Sequence, residues 1–149
     1  MSIQITLTDE QVKVLSKDLV KAGINLGNIT DRVKTFEDVL ALYSGDMANK
    51  RFLLNYNGND KDILASKALL KLSIIREVLN EGWTPDWNND LEYKYYPYFD
   101  MRNNTLVYGN YHDWYTFSLV SSRLCFKTSA LAEYAGKQFI EIYKDLFII

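Results

Sequence analysis

A long helical pattern that ends where no helix can continue constrains this fold more than any other feature. Residues 61–82 read KDILASKALLKLSIIREVLNEG. Apolar side chains recur there at helical spacing, and a stripe this wide predicts a helix that is buried on more than one side. Gly82 is placed as the left-handed residue after the last turn, and Pro85 prevents continuation. The stripe consists of Leu64, Ala68, Leu72, Ile75 and Leu79, widened by Ile63, Leu70 and Ile74.

After Pro85 the helical period disappears and tyrosine, tryptophan, phenylalanine and threonine take over. The chain has 11 tyrosines, and this composition is typical of a pleated, half-buried surface. Pro97 restricts the first strand to a sheet edge or a bulge. We therefore predict strands near residues 93–101, 105–109, 112–118 and 122–127, with turns at Asn103–Asn104 and Gly109–Asn110.

The first sixty residues predict two further helices. One begins at Thr8 and ends at Gly23, after an alternating strand-like stretch at residues 3–7. A short second helix begins after Thr35, which has Asp38 three residues on. Residues 44–62 predict a loop with one short extended piece at RFLLNY, and Asn57–Gly58 is typical of a hairpin turn.

The C-terminal residues predict one closing helix. It begins after Thr128, and its apolar positions are Leu131, Ala135, Phe139, Ile142 and Leu146. At 149 residues the chain is long enough for one domain. The fold class that we expect is α+β: a single domain over residues 1–149, with N-terminal helices, an aromatic-rich antiparallel sheet of three to four strands, and a closing C-terminal helix.

Charge and cysteine content exclude several classes of function. The net charge is −2, so no global positive field attracts a polyanion, and nucleic-acid binding is disfavoured. The single cysteine, Cys125, excludes an internal disulfide and a multi-cysteine metal site. No long apolar run and no basic N-terminal region occur, which predicts a protein without a membrane span or secretory signal.

A calcium-loop pattern begins in the aromatic segment and then fails. Asp86, Asn88 and Asp90 repeat the opening D-x-N-x-D, but Leu91 stands where glycine is needed and Pro97 where a bidentate glutamate belongs. An EF-hand is excluded. We expect Asp86 and the Asn88–Asn89 pair to hydrogen-bond their own backbone and shape a turn, and we expect no cofactor.

Cys125 and His112 could form a nucleophilic pair. In RLCFK, Arg123, Cys125 and Lys127 alternate with Leu124 and Phe126, so an open second face would place two cations beside the thiol and favour its thiolate. The alternative is a small packed cysteine and a surface histidine. Carboxylates could also cleave or bind sugars beside the rings, and the candidates are Asp86, Asp90, Glu92, Asp100 and Asp113.

The aromatic side chains outnumber what one sheet face can pack. We expect Tyr93, Tyr95 and the region near Phe117 to pack on the helices. The rings expected on the opposite face or in the irregular segment before the sheet are Trp87, Tyr96, Tyr98, Tyr108, Tyr111 and Trp114. Tyrosine and tryptophan concentrate at binding hot spots. The expected function is therefore non-enzymatic binding of a protein partner, with a carbohydrate-binding module as the alternative and homo-oligomerisation left open.

Three stretches carry a resemblance: LNEGWTPDWNND, EYKYYPYFD and SSRLCFKTSALAEYAGKQFIEIYKDLF. They are similar to a family of small uncharacterised proteins encoded by phages and prophages of gut Bacteroidales, over residues 69–147. Residues 1–60 would be the variable part and residues 62–149 the family-like part. The resemblance implies viral origin and supplies no catalytic residue. It favours a virion component or an accessory factor, including an inhibitor of a host defence protein, located in the virion or the host cytoplasm.

Overall fold

A computed structural model describes residues 27–115 and 122–148, together with the single positions Leu15 and Asp18. Apart from Leu15 and Asp18, the helix predicted from Thr8 lies outside these residues, as do the strand predicted at residues 3–7 and Phe117. The helices are α1 (Ile29–Arg32), α2 (Phe36–Leu42), α3 (Arg51–Leu54), α4 (Lys61–Leu79), α5 (Ser129–Gln138) and α6 (Ile140–Phe147), and the strands are β1 (Lys94–Asp100) and β2 (Val107–Trp114). The predicted mixture of helix and strand is confirmed. The described part of the chain contains a two-stranded antiparallel sheet, so the predicted three to four strands are not confirmed.

The helix boundaries follow local capping chemistry. Thr35 and Asp38 form a capping box at the start of α2, as predicted. The side chain of Asp60 accepts a hydrogen bond from the Ile63 N–H at the start of α4. Gly82 has a φ of 87° after α4, which confirms its predicted left-handed conformation.

Two predictions about the chain before α4 are wrong. RFLLNY is not extended, because Arg51–Leu54 forms α3, whose main-chain bonds include Leu54 N–H to Lys50 O and Asn55 N–H to Arg51 O. Asn57–Gly58 does not join two strands, since no strand flanks it. Main-chain bonds made within the segment thus take the place of the cross-strand bonds that a hairpin would need.

The single closing helix predicted at the C-terminus is also wrong, because it divides at Phe139. This residue has φ −111° and ψ 26°, outside the helical range. Its N–H still donates to Ala135 O at 3.1 Å, and its own carbonyl accepts from the N–H groups of Ile142 and Tyr143. The chain turns there while the Phe139 ring stays buried.

The sheet consists of one hairpin, formed by β1 and β2, rather than the two hairpins that four strands would give. Its register runs from Lys94 opposite Trp114 to Asp100 opposite Val107, and a shift between Tyr98 and Phe99 leaves Gly109 as an extra residue in β2. The predicted turn at Gly109–Asn110 is therefore wrong: the strand continues through a β-bulge, the other common place for a strand glycine. The predicted turn at Asn103–Asn104 is confirmed, since Asn103 has a φ of 58°.

RLCFK is not a full strand, because the Asn80 side chain supplies most of the pairing that a strand neighbour would give. Asn80 is fully buried; its Nδ2 donates to Cys125 O at 3.0 Å, and its Oδ1 accepts from Lys127 N–H at 3.0 Å. The segment meets the sheet only at Phe126, which exchanges both main-chain hydrogen bonds with Tyr95. The end of α4 and the start of β1 are thereby tied to the chain before α5.

The core lies between α4, the C-terminal helices and one face of the sheet. Helix α4 packs mainly on α6, and α5 packs on both strands. Gly136 of α5 lies so close to the sheet that a Cβ there would be 2.7 Å from Pro97 Cβ and 2.7 Å from Tyr108 Cδ2. Among the largest buried apolar side chains are Leu72, Ile74, Ile75, Leu79, Val33, Val39 and Phe126.

Replacing Gly136 with alanine should separate α5 from the sheet. Both neighbouring groups are held in packed positions, so we expect the free energy of unfolding to fall by about 1–3 kcal/mol, as for other overpacked sites. Urea unfolding monitored by circular dichroism measures this change. Ala130→Val adds bulk to the exposed side of the same helix and should stay within about 0.5–1 kcal/mol of the parent protein. Equal stability of Gly136→Ala and the parent would contradict the close approach.

Candidate functional site

The two faces of the hairpin have different surroundings. Partners in an antiparallel pair share a face, so Pro97 and Phe99 of β1 lie with Tyr111 and Tyr108 of β2. We call this the covered face, because α5 and α6 pack on it: Gly136 approaches Pro97, and the Phe99 ring lies 4.8 Å from the Tyr143 ring. The opposite face, which we call the open face, carries Lys94, Tyr96, Tyr98, Asn110, His112 and Trp114.

Four rings form one cluster on the open face. The His112 ring centroid lies 5.9 Å from that of Tyr96, 5.7 Å from Tyr98 and 6.2 Å from Trp114. Trp114 Nε1 donates to the Tyr96 hydroxyl at 2.7 Å. Tyr96 is buried at 5% exposure and forms the base, whereas Tyr98 is 55% exposed and Trp114 is 36% exposed. We refer to Tyr96, Tyr98, His112 and Trp114 as the open-face cluster.

A second group of tyrosines lies at the end of the hairpin where β1 begins and β2 ends. The Tyr93 and Tyr115 rings are 4.2 Å apart and their hydroxyls are hydrogen-bonded, while Tyr95 packs edge-on to Tyr111 at 5.6 Å. The bond with Tyr93 raises the pKa of Tyr115 to about 12. Tyr93 is exposed, so the prediction that it packs on the helices is wrong. The helices cover the sheet near Pro97 and Tyr108, and this end of the hairpin lies beyond them.

The predicted binding residues divide into three groups. Tyr98 and Trp114 are exposed on the open face, as expected, whereas Tyr111 is exposed but lies on the covered face opposite Pro97, so its expected face is wrong. Tyr96 is buried, which contradicts its expected exposure, because it lies beneath its neighbours on the open face. Tyr108 is half-buried on the covered face, where Lys137 Nζ lies 5.2 Å from its ring.

The surroundings of Trp87 indicate a role in the fold rather than an exposed binding ring. Its ring is half-buried, its Nε1 donates to Ser122 Oγ at 2.7 Å, and Lys94 Nζ lies 5.7 Å from the ring centroid. His112 was not predicted as a binding residue, although it joins the rings of the cluster. Alternation within the predicted strand already groups His112 with Trp114, but the pairing of His112 with Tyr96 requires β2 to continue through Gly109 as a bulge.

A buried ammonium organises the aromatic segment before the hairpin. Lys94 is 1% exposed, and its Nζ donates to Glu92 O at 2.7 Å and Asn89 O at 3.0 Å and lies 3.2 Å from Glu92 Oε1. The Glu92 carboxylate accepts from Asp86 N–H at 3.0 Å and Trp83 Nε1 at 3.3 Å. Several acceptors thus converge on one cation, and the segment WTPDWNNDLEYK folds around it.

The polar residues of this loop bond to their own backbone, as predicted. Asp86 Oδ1 accepts from Asn88 N–H and Asn89 Oδ1 accepts from Leu91 N–H, both at 2.9 Å. Over residues 27–115 and 122–148, no group of three or more histidine, cysteine, aspartate or glutamate side chains could hold a metal ion.

The nucleophilic pair considered from the sequence is not assembled. Cys125 is 1% exposed, so the open second face that would have activated it does not exist. Burial raises the pKa of the Cys125 thiol to about 11, and the nearby Arg76 and Lys94 offset only part of that effect. His112 lies instead among the rings of the open face.

No protein-family model, curated protein or solved structure matches this chain. In the described part of the chain, none of the helices combines the length and the apolar character that crossing a membrane requires.

Replacing Lys94 with methionine should destabilise the domain strongly. The substitution leaves Glu92 and the Asn89 carbonyl without their cation, and we expect a loss of about 2–4 kcal/mol in the free energy of unfolding. Lys137→Met is the matched control, because Lys137 also has a carboxylate partner, Glu133, and an aromatic ring beside it but is exposed. Its loss should be within about 1 kcal/mol. Similar losses for the two variants in urea titrations would contradict the role of the buried ammonium.

The Cys125 thiol should react slowly in the folded protein. A pKa of about 11 against the ordinary 9 lowers the thiolate fraction about 100-fold at neutral pH, and burial slows access further. Iodoacetamide labelling followed by mass spectrometry, with and without urea, measures the ratio of the two rates. Labelling of the native protein at the rate of the unfolded chain would show that Cys125 is open and ionised.

Proposed function

We propose that this protein acts without catalysis, by binding another protein through the open-face cluster. The observation that carries this proposal is the exposure of Tyr98, His112 and Trp114 on the sheet face opposite the helices. Tyrosine and tryptophan are enriched among the residues that contribute most to binding energy.

The cluster is already ordered before any partner binds. Tyr96 is buried beneath the exposed rings, and its hydroxyl accepts the Trp114 Nε1–H bond, so the indole is held in one orientation. Rings that are fixed in advance lose little conformational entropy on binding. When a partner contacts Tyr98 and Trp114, less of the favourable free energy of desolvating the two rings is therefore offset by the cost of ordering them.

Four of the five carboxylates that could have recognised a sugar, all except Asp90, are bonded elsewhere or lie off the open face. Glu92 is part of the Lys94 loop and Asp86 shapes a turn. Asp100 is bonded to Arg102, which lowers the pKa of its carboxyl group, and Asp113 belongs to the covered face through its pairing with Tyr95. Without these acids the open face has rings but few acceptors for sugar hydroxyls, which favours a protein partner over a carbohydrate.

The resemblance to phage-encoded proteins indicates where the partner should be sought. A virion-associated component would bind another particle protein, and an accessory factor would bind a host protein, such as a component of a defence system. Both roles use the same contact surface, so the experiment begins with two pools of candidate partners: purified particles and a lysate of the host.

The Tyr98→Ala variant tests the proposal. Tyr98 is 55% exposed, more than Tyr96 or Trp114, so its removal should weaken partner binding about 10- to 100-fold, as expected for a hot-spot residue. Its effect on the free energy of unfolding should stay within about 1 kcal/mol. Affinity capture with the parent protein identifies the partner, and biolayer interferometry then measures the dissociation constant for each variant.

Phe52→Ala is the matched control, because Phe52 is an 89% exposed ring on α3, away from the sheet. A partner retained by Tyr98→Ala and lost by Phe52→Ala would contradict the proposal. A glycan array supplies a second decision: strong binding to a sugar with no protein present would favour the carbohydrate alternative. Trp87→Ala is unsuitable as a binding test, since Trp87 packs on Lys94 and its loss should also destabilise the fold.

A further inference from the structure

The main-chain hydrogen bonds of Tyr95 define which edge of the sheet is open. Tyr95 exchanges both of its main-chain bonds with Phe126, at 3.1 and 2.7 Å. Its N–H and C=O groups therefore point away from β2. Because these directions alternate along an antiparallel pair, Asp113 and Tyr111, opposite Tyr95 and Pro97, direct their own groups away from β1.

The outer edge of β2 is unpaired within residues 27–115 and 122–148. The sheet there consists of β1 and β2 alone, and the Tyr111 N–H donates only to the neighbouring Asn110 Oδ1, at 2.9 Å. The outer edge of β1 is different: Phe126 covers Tyr95, and Pro97 has no N–H to donate. In the described part of the chain, β2 therefore offers its outer main-chain groups to a further strand, which would replace the bond from Tyr111 N–H to Asn110 Oδ1.

We propose that β2 pairs antiparallel with β2 of a second copy of this chain, with His112 on the two-fold axis. The main-chain groups of His112 face Tyr96 of its own β1, so the two His112 residues would form the non-hydrogen-bonded central pair. On each side, Tyr111 of one copy would exchange both main-chain bonds with Asp113 of the other. The product is a four-stranded antiparallel sheet with isologous symmetry.

Charge selects this register over its neighbours. Centring the axis on Asp113 would place two carboxylates directly opposite each other, which is unfavourable in a cross-strand pair. Centring it on Tyr111 would place Asp113 opposite Gly109, where the bulge interrupts regular pairing. With His112 on the axis, a phenol lies opposite a carboxylate on both sides, the two imidazoles form the central pair, and no two carboxylates meet.

The dimer goes beyond the proposed function, because it uses the strand edge rather than the ring faces. It would join the two open-face clusters at their His112 residues into one surface. Each dimer would then present two copies of Tyr98 and Trp114 to a repeated or symmetric partner, and the second contact would form at a high effective concentration.

Cysteine cross-linking of the intact protein tests the register. In a non-hydrogen-bonded pair the Cα atoms are about 4.5 Å apart, within the range of a disulfide, so His112→Cys should form a covalent dimer under mild oxidation. Val107→Cys is the matched control: it is exposed in the same strand, and its two copies would lie about 30 Å apart. The parent Cys125 is buried and should contribute little background.

A charge substitution at Tyr111 provides a second, independent measurement. Tyr111→Lys would place a cation opposite Asp113 of the other copy, and Tyr111→Asp would place a like charge there. Both variants lose the same contact with Tyr95. Sedimentation equilibrium should give a dimer dissociation constant about 10-fold higher or more for Tyr111→Asp than for Tyr111→Lys.

The proposal is overturned if the parent chain stays monomeric up to about 100 μM, or if His112→Cys and Val107→Cys cross-link equally. Equal dissociation constants for the two Tyr111 variants would overturn the register. Should Tyr111→Asp fail to fold, as judged by circular dichroism, the cross-linking pair still decides the question. No partner protein is present in these experiments, so their failure is distinguishable from failure of the proposed binding function.

Discussion

The burial of the Lys94 ammonium is the constraint on which the hairpin depends. An ammonium removed from water is tolerated only where acceptors replace its hydration, and here the preceding loop turns two carbonyls and the Glu92 carboxylate toward it. Lys94 is also the first residue of β1 and pairs with Trp114. The same charge that shapes the loop therefore lies at the start of the register, and the register brings Trp114 and His112 to Tyr96.

The elements that local chemistry determines could be predicted from the sequence. The capping box at Thr35 and the left-handed Gly82 depend on neighbours within a few residues, and both are found where the pattern places them. RLCFK has the composition of a strand, yet the buried Asn80 amide replaces most of its strand partner from 45 residues away. Neither segment, taken alone, has a sequence feature that predicts this contact. A lysine at a strand start is ordinarily exposed, so the burial of Lys94 was equally hidden.

The candidate site was predictable in part for the same reason. Composition indicated that some rings must remain outside the core, and Tyr98 and Trp114 do. Alternation alone could not separate Tyr96 from Tyr98, which share a face, because the difference arises from the rings that lie over Tyr96. The pairing of His112 with Tyr96 was missed because the glycine of a bulge has the same sequence signature as the glycine of a turn.

The hydrogen bonds of the Asn80 side chain also separate the helical frame of the protein from the segment that runs between α4 and α5. The Asn80 amide bonds the backbone at Cys125 and Lys127, and the Tyr95–Phe126 bridge closes the same junction. The path of the chain between α4 and α5 therefore begins and ends at this junction. The connection between the strands, at residues 101–106, lies at the far end of that path. Residues 101–103 and 105 are exposed there, so this tip can change in length and sequence around the buried Leu106 while the helical frame stays as it is.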